Sequence, residues 1–411
     1  MRSHLTGTLI ALAIVFGLYL AVEVSTGNPI FAQDKLEAQT EDELRELASD
    51  FTSPSQVEAI IQLGDRPGDL SKTVPLLAKL TTVPREMTKN AADSSLAAIG
   101  APAAEHLKVF IDADNLQDYL FACSAMRWIG PPSKIYLDDL GRLLDSENIK
   151  MKKCALYALQ GMGQEGIPLI DKIIVCLEST DLNIQCSACR VLETFGKEAM
   201  PAEKALLKLQ KEGGPSTRGW AALCLGMIGP TSSEVDVAVL LINQLKPRED
   251  GRPVTPTEKE RVLAGLGYLG PEAERVAEDV RKLMSNSNLF VTGHAAFAYW
   301  RITGETDEAF RTIKTLLAKP RYADDAMAIV GKMGPQAVEL MSVVGQALDS
   351  SEPSTRELAV VAIGNMGVAA SEFIAPLTKR LDDTDPLVRL AARRSLGKIT
   401  PAKDESKATN K

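Results

Sequence analysis

Four glycines, Gly130, Gly163, Gly196 and Gly229, stand 33 residues apart, and no other feature of the chain constrains its fold as tightly. The same step separates Gly270 from Thr303 and links Gly334, Gly367 and Thr400, while Gly64 and Gly100 are earlier, less regular members. A fixed period of this length marks a repeat architecture, in which each unit is too thin to bury its own apolar side and must stack on its neighbours. About eleven units fit between residues 40 and 400.

Counting back from these eleven ruler positions shows what the unit is. In the ten units from Gly100 onward, the residue eight before the ruler is small, as at Ala92, Ala122, Ala155, Ala188, Ala221, Ala295, Ala326, Ala359 and Ala392, with Val262 as the exception. Four before it come large apolar residues such as Met126, Leu159, Leu192, Leu225, Tyr299 and Leu396. One before it come Ile129, Met162, Phe195, Ile228, Ile302 and Ile399. These offsets lie on one face of an α-helix, small where a neighbour must approach and large where a seam must be filled. Ahead of each such helix runs another, as in "SKIYLDDLGRLLDS" and "EAERVAEDVRKLM". "GPP", "GPE" and "GPQ" break the chain between units, where Gly is expected to take a left-handed cap and Pro to start the next helix. Turn residues such as "DSEN" and "DTDP" break it within units. Aromatics are scarce, 5% of the chain against 45% apolar residues, and no Val, Thr or Tyr run alternates with period two, so no strand is expected.

"DPLVRLAARRSLGKIT" and "PSTRGWAALCLGMIGP" resemble HEAT-type repeats, in particular the short variety known from phycobilisome lyases. Asp385, Val388, Arg389, Ala392, Leu396 and Gly397 carry the match in the first stretch, and Arg218, Ala221, Leu225, Gly226 and Gly229 in the second. The resemblance covers residues 40–400 and implies an all-α fold, an α-solenoid of two-helix repeats. It also implies that the second helix of each unit lines a concave side, and that the chain is a binding scaffold. One step departs from the period: Gly229 to Gly270 is 41 residues. The excess falls at 246–257, "KPREDGRPVTPT", which is expected to be an exposed loop between paired helices, either a tolerated surface insertion, the preferred reading, or a loop that contacts a partner.

The directions pointing away from the core face are offsets −10, −6, −3 and −2. In the middle units they carry Arg127, Trp128, Lys153, Tyr157, Gln160, Arg190, Glu193, Tyr268, Phe297, Trp300 and Arg301, among others. Arginine and aromatic residues anchor partners best. The expected partner-binding set is therefore Arg127, Trp128, Tyr157, Arg190, Tyr268, Phe297, Trp300 and Arg301. Offset −7 is expected to face the next unit and −9 the preceding one, because −7 is apolar or small until Arg393 in the last unit.

The N-terminal stretch has Arg2 and then no charge from Leu5 to Val22. Residues 1–32 read as an export segment, either a signal peptide cleaved after Ala32 or an uncleaved membrane anchor over 5–22, with the body translocated to the periplasm or cell envelope. The tail, 401–411, has no apolar period and reads as disordered.

No chemistry-bearing constellation stands out. "CSACR" places Arg190 where a haem-attachment motif needs His, and no second CxxC exists for zinc. Cys123 at −7 and Cys154 at −9 face each other across two units and form a candidate disulfide pair. His294 is expected to pack toward the preceding unit rather than bind a ligand. Net charge is −8 with signs interleaved, which gives nucleic acid no basic face. The expectation is an exported, non-enzymatic scaffold for a protein or peptide partner, with no cofactor or metal. The alternative is an accessory enzyme of the phycobilisome-lyase type.

Overall fold

The computed structural model describes residues 39–229, 235–248, 251 and 253–400. The export segment 1–32 and the tail 401–411 lie outside them, as do parts of the 246–257 insertion. Among the described residues all regular structure is helical, without a strand, and no helix is long and apolar enough to cross a membrane.

The chain divides into two compact units that meet in sequence at Ile99 and Gly100. The first holds α1 (Glu41–Ser49), α2 (Gln56–Asp65), α3 (Leu70–Leu80) and α4 (Glu86–Ile99). A capping box starts α1: Thr40 accepts from the Glu43 backbone, and the Glu43 side chain accepts in return from Thr40 N–H. Gly64 on α2 lies so close to Ser95 on α4 that a Cβ would stand 2.7 Å from Ser95 Cβ, and Ser95 Oγ donates to Ile60 O at 2.8 Å.

The second unit is a file of helix pairs. Its second helices are α5 (Leu116–Ile129), α6 (Ile149–Met162), α7 (Leu182–Phe195), α8 (Pro215–Ile228), α9 (Pro256–Leu269), α10 (Leu289–Thr303), α11 (Pro320–Met333), α12 (Pro353–Asn365) and α13 (Pro386–Ile399). The residue before each start is the local reason for it. Asn115, Asn148, Asp181, Thr255, Asn288 and Asp385 each accept from a backbone N–H of the first turn. Elsewhere Pro at the first helical position fixes φ where no N–H is needed, as at Pro215, Pro320 and Pro353. A polar side chain four residues beyond the cap bonds back to the turn carbonyl six residues earlier. Gln185 donates to Ser179 O, Thr292 to Asn286 O, Arg356 to Ser350 O and Arg389 to Asp383 O, at 2.8, 3.1, 3.0 and 2.8 Å. This bond ties the turn to the second helix unit after unit, and it is a regularity that the apolar count did not reveal.

The first helices differ from expectation. Most begin as a 3-10 turn and only then become α-helical, for example Pro131–Tyr136 followed by Leu137–Asp145, and Gly270–Val276 followed by Ala277–Leu283. The ruler glycines are not left-handed helical caps either. Gly130, Gly163, Gly196, Gly270 and Gly334 have φ between 57 and 79° with ψ between −127 and −141°, a region that only glycine occupies without strain. Gly163 and Gly196 have open space where a Cβ would sit, so their requirement is conformational rather than steric. Thr303 cannot adopt this geometry; α10 runs on to it and Gly304 supplies a left-handed cap, φ 75° and ψ −3°.

The seam follows the predicted offsets. Every residue at −8 from Ala92 to Ala392 is buried, and so are those at −4 and −1 apart from Leu396 and Ile99, which are half-buried. Offset −7 is buried from Cys123 to Val360 and exposed at Arg393. Glycines let the second helices touch backbone to backbone: a Cβ on Gly161 would stand 1.9 Å from Arg127 O, and one on Gly226 2.1 Å from Gly265 O. The described part of the insertion is largely exposed between Gln244 and α9, with one correction. Arg248 turns inward onto Glu258, 1% exposed, which also accepts from Gln244 Nε2 at 3.0 Å. Gln244 in turn accepts from Gln210. The loop is thus anchored by a buried polar chain, which satisfies a carboxylate that would otherwise be costly to bury.

Candidate functional site

The second helices present their outward rows side by side, so residues about one period apart become neighbours. On α5 and α6, Arg127 lies over the Tyr157 ring at 4.5 Å and the Trp128 ring at 5.5 Å, and its Nη1 donates to Gln160. All four are half-buried. Three of the expected partner-binding residues, Arg127, Trp128 and Tyr157, therefore form one cluster.

A second cluster spans α7, α8 and α9. Trp220 on α8 lies between two arginines from the flanking helices, with Arg190 Cζ 5.7 Å and Arg261 Cζ 4.1 Å from its ring centre. Gly219 makes room for this arrangement: a Cβ there would stand 3.3 Å from Arg261 Cδ. Among the described residues neither guanidinium has an ion pair or a hydrogen bond, and Arg190 Nε is buried without an acceptor. Burial pulls the Arg261 pKa down. Glu193 sits close by. Burial pushes its carboxyl up, outweighing the opposite pull of Arg190, Lys332 and Arg261. Burial also raises the Tyr268 phenol, with the Glu193 charge adding to the shift. Arg301 donates from Nε to Gly267 O at 3.3 Å.

Of the expected residues, Arg190, Tyr268 and Arg301 belong to this second group. Phe297 and Trp300 do not face solvent: they are 5% and 7% exposed. Their rings pack on each other at 5.9 Å, and Trp300 packs on Phe310 of the next first helix, Asp307–Leu317, at 6.4 Å. The Phe297 ring also lies 3.5 Å from where a Cβ of Gly267 would be. These two are core residues, corrected by what their neighbours cover. Trp220 and Arg261 were missed, both at offset −9, a direction assigned to the stacking seam. The signal that could have found them is Gly219, which leaves a hole beside that seam.

The cysteines are all free thiols. Cys123 and Cys154 do face each other across α5 and α6 but form no disulfide, and the hydrogen bond with Cys154, helped by burial, raises the Cys123 thiol. A second such contact joins α7 and α8, where Cys224 Sγ donates to Cys189 O at 3.0 Å. His294 is buried against the preceding unit as expected, with Nε2 3.9 Å from Glu260 Oε1, and burial lowers its pKa to about 3. No group of three or more His, Cys, Asp or Glu among the described residues could hold a metal ion. A cavity of about 310 Å³ opens elsewhere, between the turn at Glu178–Thr180 and the first helix Glu203–Glu212, lined by Gln185, Lys208 and Leu209.

No curated protein matches the chain. Among solved structures, an engineered protein is 22% identical, covering 88% of this chain and 99% of its own, with a TM-score of 0.33. The CpcE–CpcF complex of phycocyanin lyase from a Nostoc species is 18% identical over 64% of this chain and 94% of its own, with a TM-score of 0.44. The karyopherin Kap121p, bound to the extreme C-terminus of the protein phosphatase Cdc14p, is 13% identical over 89% of this chain and 49% of its own, also with a TM-score of 0.44. By sequence, residues 341–409 match the family model of HEAT repeats, the family whose residue pattern the chain resembles.

Proposed function

We propose that the chain is an exported, non-enzymatic HEAT-repeat scaffold of about eleven helix pairs, which binds a protein or peptide partner along the outward rows of its second helices. The observation that carries this reading is the pair of arginines around Trp220, partly desolvated yet left without hydrogen-bond or ion-pair partners among the described residues. A buried donor without an acceptor, such as Arg190 Nε, is costly, and a site that keeps it beside a second unpaired guanidinium on the same ring is organised for something not in the chain. Support for the second-helix side as the concave one comes from Lys332 on α11, whose charge acts on Glu193 on α7 although four units separate them in sequence.

The test is a photo-crosslinking residue placed at Tyr268, 38% exposed on the second-helix row, or at Val175, 62% exposed on a first helix. Expressed in cells and analysed in the envelope fraction, the first position should capture a discrete partner and the second should not. Equal capture from both positions, or none from either, overturns the reading. Cell fractionation with N-terminal sequencing checks export: a mature start at Gln33 identifies the cleaved form, an intact N-terminus in the membrane fraction the anchored one, and a cytosolic full-length chain neither.

A further inference from the structure

We propose that the Arg190–Trp220–Arg261 cluster is a carboxylate-recognition site for a short acidic peptide segment of the partner. This rests on the scaffold reading and specifies the chemistry of what the scaffold takes.

A guanidinium presents five N–H donors in a planar fork that matches a carboxylate two bonds at a time. Most arginines among the described residues use that fork internally: Arg356 grips Asp383 through Nε at 2.9 Å and Nη2 at 2.6 Å, and Arg389 caps turn carbonyls. Arg190 and Arg261 depart from this, as do Arg218, Arg311 and Arg321, but among the described residues these two meet on one aromatic ring. Each stacks on one indole and gives none of its donors to a described residue. Contact with Trp220 restrains both side chains in advance, so less side-chain freedom is lost when an acid docks. Trp220 is only half-buried, and exposed Tyr268 stands near the same group, so apolar parts of a peptide have aromatic surface beside the charge.

The local charge balance is opposite to that of the molecule. Four cations, Arg190, Arg261, Arg301 and Lys332, act around the two carboxylates Glu193 and Glu260 and the Tyr268 phenol, in a chain whose net charge is −8. The excess is confined. On the next helices stand Asp324, Asp325 and Glu357, and on the other side Lys153 is paired with Asp181 at 3.4 Å. A long polyphosphate backbone would run into those acids, whereas a peptide can place one or two carboxylates on the basic spot and stay neutral elsewhere.

The experiment selects random dodecapeptides on phage against the full-length chain, with R190A/R261A and R190K/R261K as controls and polyphosphate as a competitor. From the native protein, Asp and Glu should be enriched in the selected peptides, and synthetic versions with Asn and Gln in their place should bind about tenfold more weakly. The alanine pair should lose this enrichment while still folding cooperatively, with a melt lowered by only a few degrees for the two lost ring contacts. The lysine pair keeps the charge without the fork and should bind the selected peptides several-fold more weakly. No enrichment of acids, or the same enrichment from the alanine pair, overturns the assignment. So does polyphosphate that binds through the two arginines more tightly than the selected peptides, which would make the site one for polyanions. Continued cross-linking at position 268 with no acidic preference overturns only the carboxylate assignment; loss of both overturns the scaffold reading as well.

Discussion

Two clusters on the same row use the same groups to different ends. On α5 and α6, Arg127 lies over Tyr157 and Trp128 and hands a donor to Gln160. On α7, α8 and α9, Arg190 and Arg261 flank Trp220 and hand no donor to any described residue. The first arrangement closes on itself and joins neighbouring units. The second gains the cation–π attraction but leaves the hydrogen-bonding capacity of two guanidiniums open. Arginine on an aromatic ring is therefore not in itself a sign of binding; what separates a structural pair from a receptive one is where the remaining N–H groups go.

The strongest way to break the comparison is to force the helices apart beneath each cluster. Gly161→Ala would set a Cβ 1.9 Å from Arg127 O, and Gly226→Ala one 2.1 Å from Gly265 O. Each should cost about 3 kcal/mol of stability in a denaturant titration, the upper range for overpacking, because a backbone cannot swing aside as a side chain can. A melt unchanged by either substitution would deny the close crossings on which both clusters stand.

A pH effect is expected beside the second region, at the seam between α9 and α10. His294 is neutral and buried, with a folded pKa of about 3 against an unfolded value near 6.5. Between those limits the unfolded chain binds the extra proton, so stability is full above about pH 6.5 and falls as pH falls, by at most about 1.4 kcal/mol per pH unit from this group. His294→Phe should flatten that part of the stability–pH curve, measured by urea unfolding from pH 7 to 4. An unchanged slope would show that His294 is not held neutral.

Smaller effects sharpen the contrast between the arginines. Arg127→Ala removes a donor from Gln160 and two ring contacts, and should cost about 1–2 kcal/mol. Arg190→Ala removes only a ring contact and should cost under about 1 kcal/mol, while it weakens partner capture more than Arg127→Ala does. Reversed ranks in paired stability and capture measurements would exchange the roles of the two clusters. The smallest change is expected for Glu193→Gln. The Glu193 carboxyl is raised by burial, so its contribution to stability is fullest below about pH 4.5 and is lost as pH rises through the folded pKa. The variant should be slightly more stable than the native chain at pH 7 and no more stable at pH 4; calorimetry at the two values checks it.

Much of the frame was legible before any coordinates. The ruler residue, the buried seam from Ala92 to Ala392 and the facing of Cys123 with Cys154 all follow from offsets along one helix, because side-chain direction on a helix repeats with the backbone. The site was legible only in part. Arg127, Trp128 and Tyr157 do assemble, and Arg190, Tyr268 and Arg301 do join a cluster. Phe297 and Trp300 point away from their own helix's core face yet are covered, Trp300 by Phe310 and Phe297 by the bed that Gly267 leaves. Trp220 and Arg261 point into the seam and emerge beside it, because Gly219 leaves them room.

The amino-acid sequence alone determined the helical period, where each second helix starts and stops, and which side of it must be dry. Those properties are set by neighbours within a few residues and by a pattern repeated at constant spacing. Tertiary structure decided which outward residues meet water, which arginines find acceptors, and how close two backbones come. Each of these depends on what the adjacent unit brings to the same place, one period or more away, and the angular position of a residue on its own helix does not contain that information.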